Sequence, residues 1–332
     1  MDETFLNKNQ IKSFIFNTLG KANSEKFLRL MHEVGLLGLL LPEYGHAHCK
    51  VSYDFYHRYT ADEHSLRMVR FLEELENTSN DFKELTKNYN QLDSKALLKL
   101  AALLQSVAKN SDLKDPEERF KIFSLTTVHL DLSSDEVEIV DFLIGSAYLM
   151  IETALHSDIH QPAVIESFAK EVRTLEKLNL LYLISYAELR AVAPGTWTSW
   201  KKVLLAELYQ QSRDYLKQPE SLHSRSLTTW VEVYKILHWE FPPEKLELHF
   251  DNMPKDYLET VQAEEAALHM RLIRSLKDKS FIFNHSYNEA GKFYQVILCC
   301  PTRFEAFKIL VGVLTARNMN ILGAKIYVRK DE

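Results

Sequence analysis

The sequence predicts a mainly α protein with a small α/β unit at its C-terminal end, on three observations. From about residue 9 to residue 276, apolar residues recur at three- and four-residue steps, the period of a helix with a buried face. Glycine is scarce, 9 in 332 residues, whereas a doubly wound sheet or a β-sandwich needs many tight turns. Near Ser280 the character changes, and Phe293-Tyr294-Gln295-Val296-Ile297-Leu298 is rich in strand formers.

The elements follow in order. In Ser24 to Leu37, the residues Phe27, Leu28, Leu30, Met31 and Val34 line a helix face. Asp93 is the expected cap of a helix carrying Leu97, Leu100, Ala101, Leu104 and Val107. Ser133 and Glu136 form a capping box ahead of Val137, Val140, Ile144 and Tyr148. Pro162 suits a first helical turn, with Ile165, Phe168, Ala169 and Val172 behind it. Leu178 to Val192 is strongly apolar and stops before Pro194-Gly195, and further helices are expected over Trp197 to Leu216 and Leu227 to Leu237. After residue 280, the strand at Phe293, a helix over Phe304 to Ala316 and a second strand over Ile321 to Val328 make a compact β–α–β unit. Two strands and one helix are marginal alone, so this unit must pack on the helices or pair with another chain.

Bulk composition excludes several classes. Hydrophobic residues at 46% and charged residues at 26% are ordinary for a soluble globular protein. The net charge is −6 with both signs interspersed, so there is no footprint for nucleic acid. Three cysteines, two of them the neighbours Cys299 and Cys300, make no disulfide framework and fit a reducing, cytoplasmic setting. The first residues, MDETFLNKNQ, lack the apolar core of a signal peptide, and no apolar run is long enough to span a bilayer. No GxSxG, GxGxxG or P-loop pattern occurs.

Several runs, in order along nearly the whole chain, resemble one family. They are Leu30-Met31-His32-Glu33-Val34-Gly35-Leu36-Leu37-Gly38 with Leu41-Pro42-Glu43-Tyr44-Gly45, and His57-Arg58-Tyr59-Thr60-Ala61-Asp62-Glu63-His64-Ser65-Leu66. Leu181 to Ala191 with Trp197-Thr198-Ser199-Trp200-Lys201 and Leu205-Ala206-Glu207-Leu208-Tyr209 follow, and then Asn318 to Ile326. Together they are similar to the bifunctional PII-protein uridylyltransferase/uridylyl-removing enzymes, which carry a nucleotidyltransferase domain, a linker, an HD-type hydrolase domain and two ACT domains. The resemblance implies a helical linker region over residues 1–50, a degenerate HD-like helical domain over 51–276 and a partial ACT-like unit over 280–332. The Gly-Ser and paired-acid strand of a nucleotidyltransferase domain are missing.

The resemblance also implies a broken metal centre. An HD domain holds one or two divalent ions with a histidine from one helix, an adjacent His-Asp pair from a second and a late aspartate from another. His64 stands at the family's first histidine. The family's Ala-Leu-Phe-His-Asp-Ile-Ala-Lys corresponds to Ala102-Leu103-Leu104-Gln105-Ser106-Val107-Ala108-Lys109, so Gln105-Ser106 replaces the pair. A further family histidine falls at Ala147, beside Ser146, and the late aspartate is Glu188. A neutral amide and a hydroxyl supply neither an imidazole nor a bridging negative charge. These six positions are read as vestigial, with no bound metal, no cofactor and no catalytic residue expected. His64 is then a hydrogen-bonded interior histidine. In the ACT-like unit, the turn Cys300-Pro301-Thr302-Arg303-Phe304 lacks the glycine at which an effector approaches backbone, so a packing or dimerisation role is expected there.

Other histidines are weaker candidates. His46, His48 and Cys49 lack a fourth ligand and are read as ordinary loop residues; His156 and His160 have HxxxH spacing but precede Pro162. The expected function is a non-catalytic regulatory or protein-interaction module resembling the uridylyl-removing region. Its partner is a PII-like protein or a second copy joined through the ACT-like strand, with no nucleic acid or membrane partner. One alternative is a metal-dependent phosphodiesterase removing UMP from PII-like protein through His57, Asp62, His64 and Glu188 with a divalent ion. Another is a fragment working with a partner chain that carries the nucleotidyltransferase.

Overall fold

A computed structural model describes residues 7–49, 58–77, 82–105, 107, 115–218, 221–254, 257–277, 279–289, 291–301 and 304–330. The chain divides into two compact units, residues 1–155 with 172–198, and residues 156–171 with 199–332. The first helices join the same core as those after residue 60, and the helices after 199 share a core with the C-terminal segment.

The first unit opens with α1 (Lys8–Gly20), α2 (Ser24–Glu33), α3 (Leu36–Leu40) and α4 (Pro42–His46). It continues through α5 (Ala61–Glu74), α6 (Lys83–Asn90), α7 (Lys95–Gln105), α8 (Pro116–Lys121), α9 (Ser124–Leu130), α10 (Ser134–Gly145) and α11 (Leu149–His156). The short α12 (Pro162–Val172) falls mainly in the second unit, and α13 (Leu175–Val192) returns to the first. Caps explain several starts. Asn7 with Gln10 and Ser133 with Glu136 form capping boxes, so the Ser133 expectation holds. The expected cap Asp93 gives way to its neighbour: the Ser94 hydroxyl accepts the Leu97 N–H at 3.3 Å.

The core of this unit is built where α5, α7, α10 and α13 pack together. The sequence of α7, KALLKLAALLQ, is buried from Ala96 to Gln105, so this helix has no solvated stripe. Of its two lysines, Lys95 pairs with Glu76, while Lys99 is fully buried and donates to Glu73 of α5. Near the start of the unit, Gly38 of α3 and Gly45 of α4 touch backbone to backbone. A Cβ on Gly38 would lie 3.0 Å from the Gly45 Cα, and one on Gly45 would lie 3.0 Å from the Gly38 carbonyl oxygen. The adjacent Glu43 is buried and accepts from the Leu125 N–H and the Thr126 N–H and hydroxyl, closing the start of α9.

The second unit contains α12 and α14 (Ser199–Lys217), α15 (Ser221–Leu237), α16 (Pro243–Asn252), α17 (Tyr257–Thr260) and α18 (Ala263–Leu276). Strands β1 (Ile282–Asn288) and β2 (Phe293–Cys299) and helix α19 (Phe304–Ala316) complete it. Val233, Leu237, Phe241, Leu246, Tyr257, Ala266 and Met270 form its core. The two strands make an antiparallel hairpin, from Ile282 opposite Cys299 to Asn288 opposite Phe293.

The expected β–α–β order is corrected here. Residues 321–329 join no ladder among the described residues, and the partner of β2 is the preceding β1. β1, Ile-Phe-Asn-His-Ser-Tyr-Asn, is poor in strand formers, which hid it from a composition reading. The segment after α19 follows the helices instead. Tyr327 packs on the core of α15 to α18, its hydroxyl 3.2 Å from that of Thr260, and the Lys330 N–H donates to the Asn252 carbonyl at 2.9 Å. No helix among the described residues is long and apolar enough to cross a membrane.

Candidate functional site

Three helices bring three of the six positions read as vestigial together. His64 lies in the first turn of α5, Gln105 ends α7 and Glu188 sits late in α13. All three are buried. His64 Nε2 is 2.8 Å from Glu188 Oε2, and the Gln105 amide donates to the same oxygen at 3.4 Å. The α10 helix packs on α7 and α13, and Ser146 and Ala147 are buried at its end. Ser106 and His57 lie outside the described residues.

The chemistry of this set is limited. It offers one imidazole, one carboxylate and one amide. The amide nitrogen is turned to the carboxylate, while the Gln105 carbonyl oxygen has no hydrogen-bond partner among the described residues. A two-ion phosphodiesterase centre needs more imidazole and more negative charge than that. The described residues therefore do not fit the ion that an HD domain would hold.

Asp62, a fallback ligand beside His64 in sequence, belongs to a different group. Its Oδ2 accepts the Cys49 N–H at 2.9 Å and its Oδ1 the Glu63 N–H at 2.9 Å. The same Oδ2 lies 3.1 Å from His48 Nδ1 and 3.4 Å from His32 Nε2. Burial opposes ionisation of Asp62. The Cys49 N–H, the Thr60 hydroxyl, the Glu63 N–H and His32 together outweigh it, and hold the carboxyl below its usual range. Sequence spacing gave no sign of this group, because His32, His48 and Asp62 come from three separate places in the chain. His48, read as an ordinary loop residue, is part of it.

His160 Nδ1 pairs with Glu207 at 3.1 Å, and His156 ends α11. Arg190 does not face Glu188; it packs 4.4 Å over the Phe71 ring and reaches Glu74 at 3.3 Å. At the ACT-like turn, Thr302 and Arg303 lie outside the described residues.

No protein-family model matches the chain. Among characterised proteins, a "Bifunctional uridylyltransferase/uridylyl-removing enzyme" of Vibrio atlanticus is 30% identical over 326 residues, 95% of this chain and 36% of the relative. The protein of the same name from Photobacterium profundum is 29% identical over 332 residues, again 95% of this chain and 36% of the relative. That from Erythrobacter litoralis is 32% identical over 209 residues, 62% of this chain and 23% of the relative. The chain thus spans about a third of the length of the relatives that match nearly all of it.

Proposed function

We propose, on the premise that this chain is homologous along nearly its whole length to bifunctional uridylyltransferase/uridylyl-removing enzymes, that it is a non-catalytic regulatory module derived from their uridylyl-removing region. The observation that carries this reading is the buried trio His64, Gln105 and Glu188. The histidine nitrogen that would face an ion is engaged by a carboxylate, and an amide stands in for an imidazole. Water activation by a metal needs ligands that keep an open position and balance the ion's charge. In the trio, one Glu188 oxygen takes up both the His64 nitrogen and the Gln105 amide instead.

The resemblance to PII-protein uridylyltransferases implies a protein partner, so the partner we assign is a PII-like protein or a second copy of the chain. Exposed Phe283, Tyr294 and Val296 on the hairpin support the second-copy contact, because an isolated two-stranded sheet leaves strand edges to pair. None of the three cysteines is in a disulfide, which supports a cytoplasmic setting.

The test is hydrolysis of uridylylated PII-like protein with Mn²⁺ or Mg²⁺ present. The chain as it stands is expected to release no UMP above a metal-free control; metal-dependent release would overturn the proposal in favour of a phosphodiesterase with a rearranged site. Gln105→His with Ser106→Asp should raise Mn²⁺ affinity before it restores turnover, because Ala147 and Glu188 still depart from the family pattern. Those titrations belong in a His48→Ala background, which removes the group around Asp62.

A further inference from the structure

The group around Asp62 is independent of the vestigial centre and of the function proposed for it. His32 lies in the last turn of α2, His48 follows α4 and Asp62 opens α5. One ring nitrogen of His32, one of His48 and a carboxylate oxygen of Asp62 all lie within 4.8 Å of one another. The two imidazole rings stand edge to face, 4.9 Å apart at 62°.

The arrangement has the features of a built site. Asp62 is buried, and its carboxylate is fixed by the Cys49 and Glu63 N–H groups. The second nitrogen of His32, Nδ1, is 3.4 Å from the Tyr44 hydroxyl, and that hydroxyl donates to the Asp62 carbonyl at 3.4 Å. Nδ1–H can thus donate to the tyrosine oxygen, which leaves the Nε2 lone pair directed at the carboxylate, as in imidazoles oriented by an outer partner. The His48 side chain is 60% exposed, so the group opens to solvent on that side and water can complete a coordination shell. The Gly38–Gly45 contact fixes α4 against α3 and so helps set where His48 falls.

Two imidazoles and one carboxylate suit a borderline divalent ion of the zinc class, while magnesium and calcium prefer oxygen alone. We propose that His32 Nε2, His48 Nδ1 and Asp62 form a three-ligand site for such an ion, completed by water, which ties α2, the segment after α4 and α5 together. Cys49 is not a ligand in this proposal. Its Sγ lies 3.5 Å from the other nitrogen of His48, Nε2, away from the chelating side.

The experiment uses the full chain, free of any tag and stripped of metal, titrated calorimetrically with Zn²⁺ and followed with Co²⁺ by its visible absorption. About one ion per chain is expected, with a cobalt spectrum of low-coordinate nitrogen and oxygen ligation. Thermal stability should rise with Zn²⁺ and not with equal Mg²⁺. His48→Ala, at an exposed position, should weaken binding about tenfold or more while the apo protein melts as before. Cys49→Ser and Glu188→Gln should leave affinity unchanged. The proposal is overturned if no Zn²⁺ binds, if His48→Ala binds as the parent does, or if Cys49→Ser or Glu188→Gln removes binding. No binding would mean that the two imidazoles share the carboxylate by hydrogen bonds alone. A failure in the UMP-release assay leaves all these readouts in place, so the two proposals fail separately.

Discussion

At the scale of single residues, buried charge is the strongest constraint. Lys99 is fully buried, with Nζ 2.8 Å from Glu73, 3.1 Å from the Ser24 hydroxyl and 3.1 Å from the Lys21 carbonyl. Removing one partner of a buried pair leaves the other desolvated and uncompensated. Lys99→Ala is therefore expected to destabilise by about 3–5 kcal/mol, and Lys99→Met combined with Glu73→Gln by less. Denaturant unfolding checks this; a loss for Lys99→Ala under about 1 kcal/mol would place the pair with weak surface bridges. His269 makes a second prediction. Burial lowers its pKa, against Glu265 and with Lys325, and its Nδ1 lies 2.8 Å from the Tyr257 hydroxyl. A depressed folded pKa means the unfolded chain takes the proton first. The stability from the neutral ring is then present above the ordinary value of 6.5 and is lost as pH falls below it. Melting temperature should drop from about pH 7 to pH 5, and His269→Gln should flatten that slope. An equal slope in the variant refutes the assignment. At this scale the sequence was partly legible. His64 and Glu188 were marked by their place in recognisable runs, whereas the His32, His48 and Asp62 group depends on tertiary proximity that no local spacing encodes.

At the scale of elements, close backbone contact sets the next prediction. An alanine at Gly38 or Gly45 would push a methyl group against the other helix of the α3–α4 contact, at 3.0 Å from atoms of its backbone. Backbone cannot rotate aside as a side chain can, so either change should cost about 1–3 kcal/mol, read in the denaturation midpoint. A neutral result would mean that the short helices shift together. Ser133→Ala should cost about 1 kcal/mol by removing the capping box of α10. Helices were readable where periodicity and caps agree, as for α10, for α12 starting at Pro162 and for α13 ending at Val192. The reading failed where those signals separate. Asp93 and Ser94 are both acceptable caps, and only the folded turn selects Ser94. Ile321 to Val328 has strand-like residues, but burying Tyr327 on the helices wins over pairing.

At the scale of the molecule, the hairpin predicts association. Phe283, Tyr287, Tyr294 and Val296 are exposed on two paired strands, a surface that water solvates poorly. Sedimentation should show mass rising with protein concentration, and Phe283→Glu with Val296→Lys should return it to monomer; a concentration-independent monomer would refute contact between copies. The last consequence concerns synthesis. His64 and Glu188 are 124 residues apart, and α13 packs on α5 across that separation. During translation the early helices of the first unit emerge well before the helix that closes their core. Local helices form quickly, but this long-range closure must wait until residue 192 has cleared the ribosome. Nascent chains stalled before α13 should be cut readily by protease within α5 and α7, and chains stalled well beyond α14 should resist it.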